Sequence, residues 1–291
     1  MIGELFSIIA PVFICAGIGF AWEKFGRSYD VELVTNLVTN IGAPCLVFHT
    51  LANLRVEGSA FVTVVGATVA ALALSMAVGA LVLRLARLSI KAFLPALTFP
   101  NTGNMGLPLN YLAFGDPGLA LGIGVFTVYT VAQFTLGVAI ASGTASLKAL
   151  ARVPLLYALA AALAFMITGH VPPKWVNVTT DLLAGLTIPL MLITLGISLA
   201  RLKVASVPRS LGLSVLRLVM GFAIGIALAA ALGLDGATRG VLIVQLSMPV
   251  AVFNYLFAQR YKTAPEEVAG MVVMSTALSF ASLPLLLWFV L

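Results

Sequence analysis

The sequence predicts an all-α membrane protein of ten transmembrane helices, built as two inverted five-helix repeats with breaks in helices 4 and 9. Three observations lead there. Of 291 residues, 61% are hydrophobic and 9% charged, with a mean hydropathy of +1.12, whereas a soluble domain carries roughly 25% charged residues. Ten apolar stretches follow one another with little chain between them, each near the roughly 20 residues a helix needs to cross a hydrocarbon core of about 30 Å. Helix-breaking prolines recur at matching places in the two halves. A β-barrel is excluded, because runs such as VTVVGATVAALALSMAVGALVL show no alternation.

Taken in order, span 1 (4–22) has the acidic Glu4 where a secretory signal is basic, and no small-x-small cleavage pattern before Trp22, so it reads as a retained helix. Span 2 (32–52) is interrupted by Pro44 in IGAPCLVF, and span 3 (59–83) is strongly apolar. Span 4 (91–114) is interrupted by FPNTGNMGLPL, and span 5 (117–142) ends in a short polar connection. Span 6 (153–169) opens at Pro154, span 7 (176–200) is interrupted by Pro189 in LTIPLMLITLG, and span 8 (208–232) contains Arg217. Span 9 (237–260) is interrupted at Pro249 in LSMPVAVFNYLFA, and span 10 (267–290) is again apolar. The offsets Pro11 to Pro154, Pro44 to Pro189 and Pro100 to Pro249 are 143, 145 and 149 residues. Two halves, 1–143 and 150–291, therefore repeat, and because five is odd the second enters the membrane upside down.

The net charge of +6 is spread over helix ends and so reports topology, not nucleic-acid binding. Lys24, Arg27, Arg84, Arg87, Lys91, Lys148, Arg152, Arg201, Lys203, Arg209, Arg260 and Lys262 fall in one set of connections; Arg55, Lys174 and Arg239 fall in the other. This asymmetry places both termini on the non-cytoplasmic side of a plasma membrane, the inner membrane in a bacterium. No connection is long enough for a soluble domain.

The breaks carry the chemistry. Proline removes a backbone donor and clashes with the preceding turn, and freed backbone groups in lipid are tolerated only where protein buries them or a wet cavity meets them. Half-helices beginning near Gly103 to Leu107 and near Val250 would aim their positive N-terminal ends at the midplane, which suits a carboxylate. Pro100, Asn101, Thr102, Gly103, Asn104 and Met105, with Pro249, Val250 and Asn254, are the candidate binding residues, and Met105, Leu107 and Phe253 the candidate apolar walls. For Pro44 and Pro189, whose surroundings are poor in polar groups, a kink and a cavity lining stand side by side. The expected partners are a small organic anion and membrane lipid.

FPNTGNMGLPL, NIGAPCLVFHTL, SVLRLVMGFAIG and MPVAVFNYLFAQRYKTAPEEVAGMVVMSTALS resemble the auxin efflux carrier family, with its plant PIN proteins and bacterial carriers of malonate-like acids, and the resemblance runs in order over nearly the whole chain. The resemblance implies a homodimeric carrier in which helices 4 and 9 cross at their breaks. It further implies a scaffold of helices 1, 2, 6 and 7 (1–55, 150–203) and an elevator-like transport unit of helices 3–5 and 8–10 (57–143, 205–291). Pro100, Asn101 and Pro249 match the family motif directly. The connection SGTASLKALAR is far shorter than the cytoplasmic loop of many plant members, and Val250 stands where they have glutamine, so auxin itself is not singled out as the substrate.

Ionisable residues at depth are costly and few: Arg217, His49 and Asp181. Arg217 either attracts the anion or ties helices through carbonyls. His49 either relays a proton or is a satisfied boundary histidine, and Asp181 either binds a cation or marks a helix start. No cofactor is expected. A coupling ion, Na+ or H+, and uncoupled uniport all stay open. No P-loop is present, and with only His49 and His170 and the two cysteines Cys15 and Cys45 inside spans, no catalytic or metal-ligating grouping is supported. An anion channel or a ligand-sensing receptor without transport is the alternative to a carrier.

Overall fold

The computed structural model describes residues 2–53, 58–143, 153–168, 170–202 and 206–291. Arg55, Lys148, Arg152 and Lys203, and with them most of SGTASLKALAR and the expected boundaries at 55–57, 150 and 203–205, lie outside the described residues. Every regular element among the described residues is helical. The order is α1 (Ile2–Lys24), α2 (Val31–Leu37), α3 (Ala43–Asn53), α4 (Gly58–Leu85), α5 (Ile90–Thr98), α6 (Leu107–Ala132) and α7 (Val138–Ser142). It continues with α8 (Pro154–Thr168), α9 (Lys174–Arg201), α10 (Val207–Ala231), α11 (Gly236–Leu246), α12 (Val252–Tyr261) and α13 (Pro265–Val290). Wider π turns over Val38–Gly42, Thr102–Gly106 and Gln133–Gly137 join α2 to α3, lead into α6, and join α6 to α7.

Among the described residues, seven segments are long and apolar enough to cross a membrane by themselves, where ten spans are expected. The difference has a physical origin in the breaks. Expected span 4 is divided between the nine-residue α5 and the start of α6, and expected span 9 between α11 and α12, of 11 and 10 residues. Expected span 6 is the 15-residue α8. Conversely, the apolar segment Thr102–Ser142 is 41 residues long, roughly 60 Å as helix, about twice a hydrocarbon core. It is bent at Gly115, whose backbone (φ 65°, ψ −155°) is closed to other residues, at the expected boundary between spans 4 and 5.

Two expected interruptions are corrected. α9 runs unbroken through Pro189, since a single proline removes one hydrogen bond and α1 and α3 pack along this helix. Pro44 likewise does not break its span. The π turn before it closes with the Ala43 N–H on the Val38 carbonyl, the wider turn that a proline ring can follow. Between these prolines the two spans touch closely: a methyl added to Gly42 would come 2.5 Å from Thr187 Oγ1.

Among the described residues, the most extensive helix pairing is α1 on α9. A Cβ added to Gly19 would strike the Ile193 carbonyl, and one added to Gly196 the Ala16 carbonyl, so the two backbones sit in reciprocal contact. Gly196→Val should therefore cost roughly 3 kcal/mol, read as a lowered thermal midpoint of the purified protein, because backbone cannot step aside as a side chain can. A second core contains buried side chains of α4, α5, α6, α10, α11, α12 and α13 with Phe99 and Val250, and none from α1, α3, α8 or α9.

Candidate functional site

α5 ends at Thr98, with Phe99 extended beyond it, and α11 ends at Leu246 in a turn at Ser247, after which the chain is extended at Ala251 ahead of α12. The two extended segments pair antiparallel, Pro100 opposite Val250. Asn101 N–H donates to the Pro249 carbonyl at 2.7 Å, and Ala251 N–H to the Phe99 carbonyl at 3.2 Å. Each break thus satisfies the backbone of the other, which removes the penalty for unwinding in an apolar setting. Side chains complete the knot. Asn254 Nδ2 donates to the Phe99 carbonyl at 3.0 Å, Gln133 Nε2 donates to Asn254 Oδ1 at 3.2 Å, and Val250 N–H donates to Ser275 Oγ at 3.0 Å.

One side of this crossover opens into a cavity of about 260 Å³, smaller than the roughly 300–1,000 Å³ of sites for drug-sized ligands. Its inner end is Pro100 to Asn104. The first closed bond of the π turn runs from Gly106 N–H to the Asn101 carbonyl, so the N–H groups of Gly103 and Asn104 have no earlier carbonyl of the helix to reach. Asn101 is 4% exposed, and its Nδ2 is, among the described lining side chains, the one buried polar atom without a partner. Thr130 and Gln133 add polar groups, and Phe126, Phe134, Met191, Val252 and Phe253 form apolar walls. Phe134 meets Phe253 edge-on, with ring centroids 5.7 Å apart. At the outer end Arg201 pairs with Glu23 at 2.9 Å and donates to the Tyr29 carbonyl at 2.8 Å. No carboxylate lines the cavity among the described residues.

The structure brings Pro100, Asn101, Thr102, Gly103, Asn104 and Phe253 together on the cavity wall. It sets the other expected residues behind that wall. Met105 is fully buried in a core with Leu109, Leu195 and Val244, and accepts from Ser279 Oγ; Leu107 is buried in another core. Pro249 and Val250 serve the backbone pairing, and the Val250 N–H is occupied by Ser275, so it is not an anion donor. Asn254 holds the crossover together from a 2% exposed position. Pro44 and Pro189 do not line the cavity either; their neighbours Val38, Thr39, Ala43, Met191, Thr194 and Ser198 do.

His49 and Asp181 face each other, Nε2 to Oδ1 3.4 Å, with Asn53 donating to the Asn177 side chain beside them. They tie α3 to α9 away from the cavity. Arg217 is fully buried and donates from Nη2 to the Leu246 carbonyl at 2.8 Å, so it ties α10 to α11 and does not line the cavity. Gln133, Thr130 and Arg201 were not among the expected residues. A glutamine in the apolar run TVAQFTLG is the signal that could have found the first, because an amide at that depth is expensive unless used.

A family model described as membrane transport protein matches residues 5–148 and 138–287. An uncharacterized transporter of Methanocaldococcus jannaschii is 23% identical over 97% of this chain and 97% of its own. An uncharacterized transporter of Methanothermobacter thermautotrophicus is 28% identical over 65% of each chain.

Proposed function

We propose a function from one premise: the chain belongs to the family of membrane transport proteins that comprises the auxin efflux carriers. It is a secondary carrier of small organic anions, carboxylates of the size of malonate, lactate or indole-3-acetate, that binds its substrate in the cavity at the crossover. The observation that carries this reading is the buried, unpartnered Asn101 amide at the start of a helix, in a cavity that no carboxylate of the described residues lines.

Ten crossings in two inverted repeats, 1–143 and 150–291, account for the paired breaks. A moving unit, helices 3–5 and 8–10 of the sequence reading, works against a scaffold of helices 1, 2, 6 and 7 by an elevator motion. The core shared by α4–α6 and α10–α13, to which no described side chain of α1, α3, α8 or α9 contributes, supports that division. The carrier acts as a homodimer in the plasma membrane with both termini outside. On that orientation the cavity opens to the cytoplasm, since its outer end is formed by Val31, Val153, Arg201 and Leu202, next to the basic connections.

Charge movement on a solid-supported membrane tests the reading. Purified protein is challenged with malonate, malate, lactate, indole-3-acetate and indole-3-acetamide, with and without Na+ and pH gradients. A saturable current for at least one acid and none for the amide is expected, and the gradient that alters it identifies the coupling ion or leaves uniport. No current and no thermal shift with any acid would remove the carboxylate reading. A conductance that does not saturate would favour the channel.

A further inference from the structure

Four helix ends converge on the crossover: the C-terminal ends of α5 and α11, and the N-terminal ends of the Thr102 π turn and α12. The first pair carries partial negative charge and the second partial positive charge, so their fields oppose. Arg217 breaks this balance. Its Nη2 binds the carbonyl of Leu246, the last residue of α11, and its Nε and Nη1 have no partner. No carboxylate pairs with it among the described residues, and it is 0% exposed. The seat is built for this contact. One turn along α10, Gly221 has no side chain to keep the Leu246 carbonyl away, and a Cβ there would also come 3.1 Å from Arg217 Nη1. The end of α5, by contrast, receives only neutral donors, the Ala251 N–H and Asn254 Nδ2 on the Phe99 carbonyl.

We propose that Arg217 sets the charge selectivity of the crossover: it cancels the negative pole of α11, leaves the two positive helix ends opposed by the pole of α5 alone, and so favours an anion over an uncharged ligand of the same shape. This deepens the carrier reading and rests on it. Arg217 acts through α11 and is a positioning residue, not a binding one, because it does not line the cavity.

The test measures the potential without needing the substrate. In protein with the free cysteines Cys15 and Cys45 changed to serine, Asn104→Cys puts a thiol on the cavity wall. Its reaction rates with an anionic (sulfonatoethyl) and a cationic (trimethylammonioethyl) methanethiosulfonate are each divided by the rate with 2-mercaptoethanol. With Arg217 present the anion-to-cation ratio is well above one. Arg217→Gln, which keeps a donor for Leu246, lowers it roughly tenfold, and Arg217→Lys keeps it within about twofold. A ratio above one that Arg217→Gln leaves unchanged, or that Arg217→Lys lowers equally, overturns the role of Arg217 while the anion site stands. A ratio at or below one with Arg217 in place overturns the anion site itself, and this role with it.

Discussion

Asn101→Ala raises the half-saturating acid concentration roughly 10–100-fold while the purified protein melts within a few degrees of the parent. The magnitude follows from losing one hydrogen bond to a charged group, about 1.5–3 kcal/mol, at about 1.4 kcal/mol per factor of ten. Stability survives because the structural work at this position is done by the backbone. The Asn101 N–H bonds the Pro249 carbonyl and alanine keeps it, whereas the side-chain Nδ2 has no protein partner to lose. Asn101→Asp sharpens the test, since it preserves shape but sets a negative charge against the substrate, and its loss should exceed that of alanine. An unchanged half-saturation in both variants would move the acid elsewhere, with Arg201 at the mouth the next place to look.

The two crossing breaks were legible because several independent signals coincide. FPNTGNMGLPL combines breakers with side chains that can hydrogen-bond, and LSMPVAVFN repeats the pattern at a fixed offset. Lone prolines gave weaker guidance: Pro189 sits inside a continuous α9, and Pro44 follows a π turn that keeps the helix going. A helix loses one bond at a proline and keeps the rest when neighbours clamp it, and that packing cannot be read from a local run of residues.

Which residues face the cavity was only half legible. In extended chain, consecutive residues point to opposite sides, and the pairing partner decides which side is wet. Asn101 was therefore findable by type, but the assignment of Val250 depended on Ser275, 25 residues away, taking its N–H. His49 and Asp181 were recognised separately as costly residues, and their pairing exists only because α3 and α9 lie side by side. Arg217 left both of its readings open until the Leu246 carbonyl appeared as its partner.

Asn254→Leu and Gln133→Leu should each destabilise the protein by about 2–3 kcal/mol, yet together cost less than their sum by about 1 kcal/mol or more. Each amide is buried and bonded to the other at 3.2 Å, so removing one orphans its partner, while removing both leaves an apolar contact with little left unsatisfied. Thermal midpoints of the four proteins give the coupling, and strictly additive losses would mean the bond contributes nothing. Transport behaves differently. The double variant loses less stability than the two single losses summed but recovers no current, because Gln133 lines the cavity and the Asn254 bond to the Phe99 carbonyl fixes the start of α12 against the crossing segment. A double variant with restored current would show instead that the two amides serve only to hold the crossover together.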